Sequence, residues 1–345
     1  MMNVRFFDPG KWYKNHYPEM LNQIDRVLLA GDLILREDLE KFEHSLAKML
    51  GKKHAIGVNS GTDALYLSLW ALGIGEGDEV IVPGHTFVAS AQVVAQLGAT
   101  PVLVDVGDDL LMEKNITFTE KTRAIIPVHL TGDVVRFSPE FIQICADKKI
   151  HIVEDAAQAL GAKGVGYGKT QCYSFYPAKI LGAYGDAGAI TTDDDVLADE
   201  LRQLRHHYKR DYSKWGINSR LDNVQAAVLN VKMEHIEESL KRREQIALMY
   251  RTGLQSTPIK LPEYSEGRVW QDYVIRFKDN VERENMYTFL KEQGIETMRN
   301  DYPFPIEKPE NALRIESQTL RIPCNDVLDN AEVTYIIKKI IEFYV

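Results

Sequence analysis

A chain of 345 residues is about twice the length of a common single domain, which suggests two. Apolar residues at 45% and charged residues at 26% suit an ordinary soluble globular protein and exclude a disordered or fibrous one. With 50 acidic and 41 basic side chains the formal charge is -9, which repels polyphosphate backbones, so nucleic acid is not an expected partner. Met1 to Lys11 shows no charged-then-apolar leader, and no run of 18 apolar residues occurs; the expectation is a cytoplasmic enzyme with no membrane partner. Cys145, Cys172 and Cys324 are isolated, with no C-x-x-C spacing, and read as packing residues rather than a disulfide framework or a metal site.

Pro18 to Leu29 places Met20, Leu21, Ile24, Val27 and Leu28 on one helical face and stops at Gly31. Glu37 to Leu50 repeats that spacing with Leu39, Phe42, Leu46, Met49 and Leu50, and Gly51 is its expected C-terminal cap. Strands and helices then alternate. The pattern predicts strands near 54–58, 79–82, 101–106, 123–129 and 150–153, with helices near 63–72, 87–97 and 139–148. Such alternation implies a largely parallel sheet covered by helices, with ligands at the carboxyl ends of its strands.

A further strand is predicted at 189–192 and a helix at 196–206, followed by one long helix from Asn223 to about Tyr250 linking two domains. The remainder, with a strand near 273–277 and helices near 283–293 and 331–343, reads as a smaller α+β unit. The expected division is therefore residues 1–235 and 236–345. The charge run Lys241 to Glu244 reads as a solvated helix face.

Three places could carry chemistry. Val58-Asn59-Ser60-Gly61-Thr62 joins a strand to a helix, where Gly61 allows a close turn and the first free N–H groups suit a phosphate; from this segment alone an ordinary N-cap by Ser60 or Thr62 is the favoured reading. Asp155 ends an apolar strand, as a site carboxylate or a helix cap, with Gln158 one turn on. Lys179 lies in the aromatic and small-residue stretch Tyr173 to Gly182, where desolvation would make its amine a nucleophile, although a lysine snorkelling from a loop is the alternative.

In this order, Val153 to Gln158, Ser174 to Gly188 and Gly216 to Ala227 make the chain resemble the DegT/DnrJ/EryC1/StrS sugar aminotransferases over nearly its whole length. The resemblance implies an α/β fold of the aspartate-aminotransferase type (fold type I), with pyridoxal 5'-phosphate as cofactor. It implies that Lys179 binds the cofactor covalently and that Asp155 pairs with its pyridinium nitrogen, making the ring an electron sink. Gln158 would lie beside the ring hydroxyl and Phe87 would stack on the ring. Gly61, Thr62 and Ser174 would hold the phosphate. Asn218, in Gly216-Ile217-Asn218-Ser219-Arg220-Leu221, would reach the phosphate of a neighbouring subunit, which implies a homodimer with shared sites. The implied reaction moves an amino group from glutamate to a nucleotide-linked keto sugar for surface polysaccharide or amino-sugar synthesis.

The form of the Gly216 to Asp222 motif favours a 3-keto sugar, with a 4-keto sugar or a keto sugar acid as alternatives. A noncatalytic regulatory or scaffold protein with the same fold is the alternative of a different class. Asp105 to Lys121 is shorter than in relatives, and Asn300 to Pro305 lacks a histidine that many place around its Y-P-x-P turn. Asn300 and Tyr302 are therefore where sugar specificity is expected to be read. His206 and His207 are open between substrate contact and surface.

Overall fold

The computed structural model describes residues 2–345. Strands β1 (His54–Val58), β2 (Glu79–Pro83), β3 (Thr100–Val104), β4 (Thr122–Ile125), β5 (His151–Asp155), β6 (Thr170–Ser174) and β7 (Gly188–Thr192) form one sheet in the order β1-β7-β6-β5-β4-β2-β3. Only β7 runs against its neighbours, so the sheet is largely parallel and the fold is of the α/β class. Neighbouring residues such as Ala55 and Ile56, Cys172 and Tyr173, or Ala189 and Ile190 belong to different apolar clusters. The period-two alternation of strands therefore separates two cores, one on each face of the sheet.

Twelve helices are described: α1 (Pro9–Asn15), α2 (Tyr17–Ala30), α3 (Glu37–Leu50), α4 (Gly61–Ala71), α5 (Ala89–Gln96), α6 (Pro139–Asp147), α7 (Asp195–Leu204), α8 (Asn223–Glu234), α9 (Ile236–Leu254), α10 (Asn280–Glu292), α11 (Glu310–Gln318) and α12 (Asn330–Glu342). α2 and α3 end at Gly31 and Gly51, whose positive φ of 72° and 63° supplies the expected left-handed caps. β8 (Tyr273–Arg276), β9 (Met298–Arg299) and β10 (Thr319–Ile322) make a second, antiparallel sheet in the order β8-β10-β9. Its own core joins Tyr250, Tyr273, Ile275, Leu320, Val333 and Ile336. Val4 pairs with Ile295, so the first residues pack on this C-terminal unit.

Three expectations need correction. The long helix from Asn223 is two, broken at His235 (φ -104°, ψ 7°), whose ring lies 4.5 Å from His16. Apolar spacing continues across a one-residue break, so periodicity could not show it. The run Lys241 to Glu244 is not simply solvated: Arg243 is 3% exposed and donates to the carbonyls of Trp270 (3.1 Å), Gln271 (3.2 Å) and Cys324 (2.7 Å). Those bonds offset the cost of burying the cation. Residues 156–161 form turns rather than a helix. The polar strand β6 gave no apolar signal; its buried Gln171 donates to Glu154 (2.9 Å) and accepts from Thr191 (3.0 Å), which is what lets it lie inside the sheet. The short elements α1, β9, α11 and β10 were likewise unforeseen.

All three cysteines are free and buried, as packing residues should be. Among the described residues no helix is long and apolar enough to cross a membrane.

Candidate active site

Asp155 closes β5 and is 7% exposed. One oxygen, Oδ1, accepts from the N–H of Ala157 at 3.2 Å and caps the following turn. The other, Oδ2, accepts from the buried Ser90 hydroxyl at 2.8 Å. Thr86 Oγ1 lies 3.1 Å from Ser90 Oγ, and because the single Ser90 proton is committed to Asp155, Thr86 is the donor in that contact. Between Thr86 and α5 stands Phe87, whose ring is 60% exposed beside this buried polar chain.

Lys179 lies in a tight turn after β6, its N–H bonded to the Tyr176 carbonyl at 2.8 Å. Gln271 holds that turn on both sides, accepting from Ile180 N–H and donating to the Ala178 carbonyl, each at 2.9 Å. A Cβ on Gly182 would stand 2.1 Å from the Pro177 carbonyl oxygen, so only glycine permits the turn to close. Burial holds the Lys179 amine below the usual lysine range; the carboxylates of Asp272 and Asp155 oppose this and Arg321 adds to it. Arg321 pairs with Asp272 at 3.5 Å.

Gly61 opens α4, and a Cβ there would come within 2.7 Å of the Ser174 Cβ. Ser60 caps the helix by accepting from Asp63 N–H at 3.0 Å, leaving the first-turn N–H groups of Gly61 and Thr62 directed outward near Ser174. The cap reading and the phosphate reading of this segment are thus compatible. Gln158 accepts from Thr131 N–H at 2.6 Å, and Thr131 Oγ1 accepts from Arg268 at 2.8 Å. Lys179, Asp155, Gln158, Gly61, Thr62 and Ser174 gather at the carboxyl ends of β1, β5 and β6, with Phe87 beside them.

Asn218 is not gathered with them. Its side chain is exposed, and among the described residues no hydrogen bond holds it. The next residue, Ser219, anchors the segment by donating to Asp63 (2.6 Å) and accepting from Asn59 N–H (3.1 Å). His206 is bonded to Arg220 at 3.0 Å, and His207 is exposed.

A second network adjoins the first, because His85 follows β2 and is the chain neighbour of Thr86. His85, 1% exposed, meets Glu316 at 3.3 Å through Nδ1 and Asn300 Nδ2 at 3.0 Å through Nε2. An amide nitrogen only donates, so Nε2 accepts and the proton sits on Nδ1 toward Glu316. Burial pushes His85 below its ordinary range, against the raising effect of Glu316. Lys308 bonds Glu316 and the Tyr302 carbonyl, and the Tyr302 ring meets His85 edge-on at 5.1 Å. Asn300 Oδ1 and the Tyr302 hydroxyl are both buried without a partner.

Sequence reasoning missed Ser90, His85, Gln271, Asp272, Glu316 and Arg321. Ser90 had a signal, four residues after Thr86 on the helix that follows Phe87. The others act across long stretches of chain and carry no local mark.

These residues fit pyridoxal phosphate. The cradle between Gly61 and Ser174 has no room for a Cβ, the helix start offers N–H donors, an aromatic ring stands uncovered, and a buried carboxylate faces a desolvated lysine. Among the described residues no group of three or more His, Cys, Asp or Glu side chains could hold a metal.

A fold of this class with a lysine and an acid at the strand ends defines a cofactor-dependent group-transfer enzyme. The chain belongs to the DegT/DnrJ/EryC1/StrS aminotransferase family, whose pattern matches residues 15–341. It is 39% identical to the dTDP-3-amino-3,4,6-trideoxy-alpha-D-glucose transaminase of Streptomyces venezuelae, covering 99% of this chain and 96% of that one. It is also 39% identical to the UDP-2-acetamido-2-deoxy-3-oxo-D-glucuronate aminotransferase of Pseudomonas aeruginosa, covering 94% and 96%. The crystal structure of S. venezuelae DesV with a ketimine intermediate superposes with a TM-score of 0.91 at 36% identity, covering 99% of both chains. The protein is therefore a pyridoxal-phosphate-dependent aminotransferase of the fold that its sequence led us to expect.

Proposed function

We propose that this enzyme transfers an amino group from glutamate to the 3-keto group of a nucleotide-linked sugar, feeding amino-sugar or surface polysaccharide synthesis in the cytoplasm. The observation that carries the site assignment is the clamped, desolvated Lys179 facing Asp155. The 3-keto position is supported by relatives named for 3-amino and 3-oxo sugars.

Lys179 would bind the cofactor, and Asp155, held by the Ser90 hydroxyl, would present a carboxylate oxygen to the ring nitrogen. Gly61, Thr62 and Ser174 would hold the phosphate, Phe87 would cover a ring face, and Gln158 would lie on the hydroxyl side. When bound, the cofactor supplies an electron sink that makes the donor's Cα–H bond acidic. Because burial favours the neutral amine, Lys179 Nζ is ready to take that Cα proton and return it on the other side of the exchange. In the second half-reaction the same nitrogen delivers a proton to the sugar carbon that receives the amine.

Asn218 completes a neighbouring copy's phosphate site in this reading. The exposed Tyr212 and Trp215 on the same segment, with Leu28, Leu29 and Leu33 exposed elsewhere, support a homodimer. The core of the second sheet, drawn from residues between 246 and 340 together with Val4, and the break at His235 support a division into residues 1–235 and 236–345.

The test is a panel of nucleotide-linked 3-keto and 4-keto sugars and keto sugar acids, incubated with the aminated cofactor form. The expected result is return of the starting absorbance fastest with a 3-keto sugar. Faster return with a 4-keto sugar would overturn the position, and no return with any would overturn the substrate class.

A further inference from the structure

A half-buried cation outside the machinery described so far stands behind the Lys179 turn. Lys232, on α8, donates to the carbonyl of Gly182 at 2.6 Å. Its ammonium lies 4.7 Å from the centre of the Trp12 ring and 4.6 Å from that of Tyr184. Among the described residues no carboxylate is within 4.0 Å of it. Asp326, which lines the same small cavity, is engaged by Ser239 and by Arg243 at 3.8 Å. Desolvation pushes the lysine down to about 8, opposed only by Asp326.

Such a cation costs stability that an apolar side chain would not, and the rings recover only part of it. What it gains is a fixed carbonyl. Two turns earlier on the same face of α8, Gln225 accepts from Tyr184 N–H at 3.0 Å and donates to the Tyr184 carbonyl at 3.3 Å. The Tyr184 hydroxyl reaches the Pro9 carbonyl at 3.2 Å. Gln271 therefore grips the turn immediately around Lys179, and α8 grips its exit, with Trp12 of α1 closing over the contact.

We propose that Lys232 is a positioning residue: bonded to the Gly182 carbonyl inside the Trp12 and Tyr184 rings, it fixes the turn from which Lys179 reaches the cofactor. This rests on the reading of Lys179 given above. The placement matters because small displacements of a reacting group are costly in rate even when binding is unchanged.

The experiment compares Lys232→Met, Lys232→Arg and Trp12→Leu in the full-length chain. One readout is amide hydrogen exchange at residues 179–184 without cofactor, independent of any chemistry; the other is steady-state kinetics of the loaded enzyme. For Lys232→Met we expect faster exchange confined to that turn and a fall in kcat of about tenfold to a hundredfold, with KM for both substrates within about twofold. Lys232→Arg keeps a cation and a donor and should recover part of both losses. An unchanged kcat, a fall without altered exchange in the turn, or an Arg variant no better than Met would overturn the proposal. Should Lys232→Met fail to fold, Trp12→Leu, which leaves the hydrogen bond and removes one ring, decides by the same two readouts. Turnover by Lys179→Ala would refute the site assignment instead, while the exchange data would still report whether Lys232 holds the turn.

Discussion

Two parts of the site are built from different materials. On the sheet side, Gly61, Ser174 and Lys179 are set by strand ends, backbone hydrogen bonds and close approaches in which a glycine is the only residue that fits. Beside them, His85, Asn300, Glu316, Lys308 and Tyr302 form a polar chain drawn from two distant stretches of sequence. A backbone-defined cradle suits a partner that never changes. A side-chain network with unpartnered buried atoms such as Asn300 Oδ1 and the Tyr302 hydroxyl can be retuned by single substitutions, as a variable sugar requires.

The sharpest break in the comparison would come from Lys179→Ala. A methyl group supplies neither an attachment point nor a proton carrier, so turnover should vanish while the circular dichroism spectrum stays native. Multiple turnovers by this variant would remove the sheet side from the chemistry altogether. Next in size, Asp155→Asn should lower kcat by about a hundredfold to a thousandfold with smaller loss of cofactor, because an amide has no charge to offer the ring nitrogen. Single-turnover absorbance changes should show both half-reactions slowed together.

In the His85 network the expected pattern is unequal. Asn300→Ala or Tyr302→Phe should slow the sugar half-reaction about tenfold or more and leave the glutamate half-reaction within about threefold. Equal losses in the two would mean that this network supports the whole site rather than reading the sugar. Ser90→Ala sits on the sheet side and should cost about tenfold in both halves, since it removes one hydrogen bond to the Asp155 carboxylate.

The smallest effect concerns pH. Burial lowers the His85 pKa in the folded protein, so the unfolded chain binds the extra proton first as pH falls. Stability is therefore greatest above about pH 6.5, the ordinary histidine value, and is lost progressively below it. Glu316 works in the same direction: against the opposing effect of burial, bonds from His85 and Lys308 hold its pKa low, so its contribution is present above the ordinary glutamate range and disappears as acid protonates it. His85→Gln should flatten the fall between pH 6.5 and 5 in urea titrations. An unaltered slope would show that the network's charges do not govern acid stability.

Much of the sheet side was legible in the sequence. β1 and α3 fall where periodicity placed them, and the residues after β1 and β5 are those that a parallel sheet offers to a ligand. Lys179, Gly61 and Asp155 could be singled out because each belongs to a short contiguous motif. By contrast, Glu316 and His85 are 231 positions apart, and Gln271 reaches 93 positions back to Ala178. Nothing in the local sequence around Gln271, Asp272 or Arg321 distinguishes them from surface residues.

The sequence by itself determined the alternation of strand and helix, the family and the residues proposed to hold the cofactor, because these depend on local periodicity and on motifs whose chemistry is carried within a few positions. Tertiary structure alone decided which polar groups meet around the site. It put Ser90 against Asp155, carried Arg243 into the interior onto three carbonyls, broke the long helix at His235, and set Lys232 beneath the turn of Lys179. The physical reason is that a buried polar or charged side chain is tolerable only with partners, and those partners come from distant segments that meet only when the chain is folded.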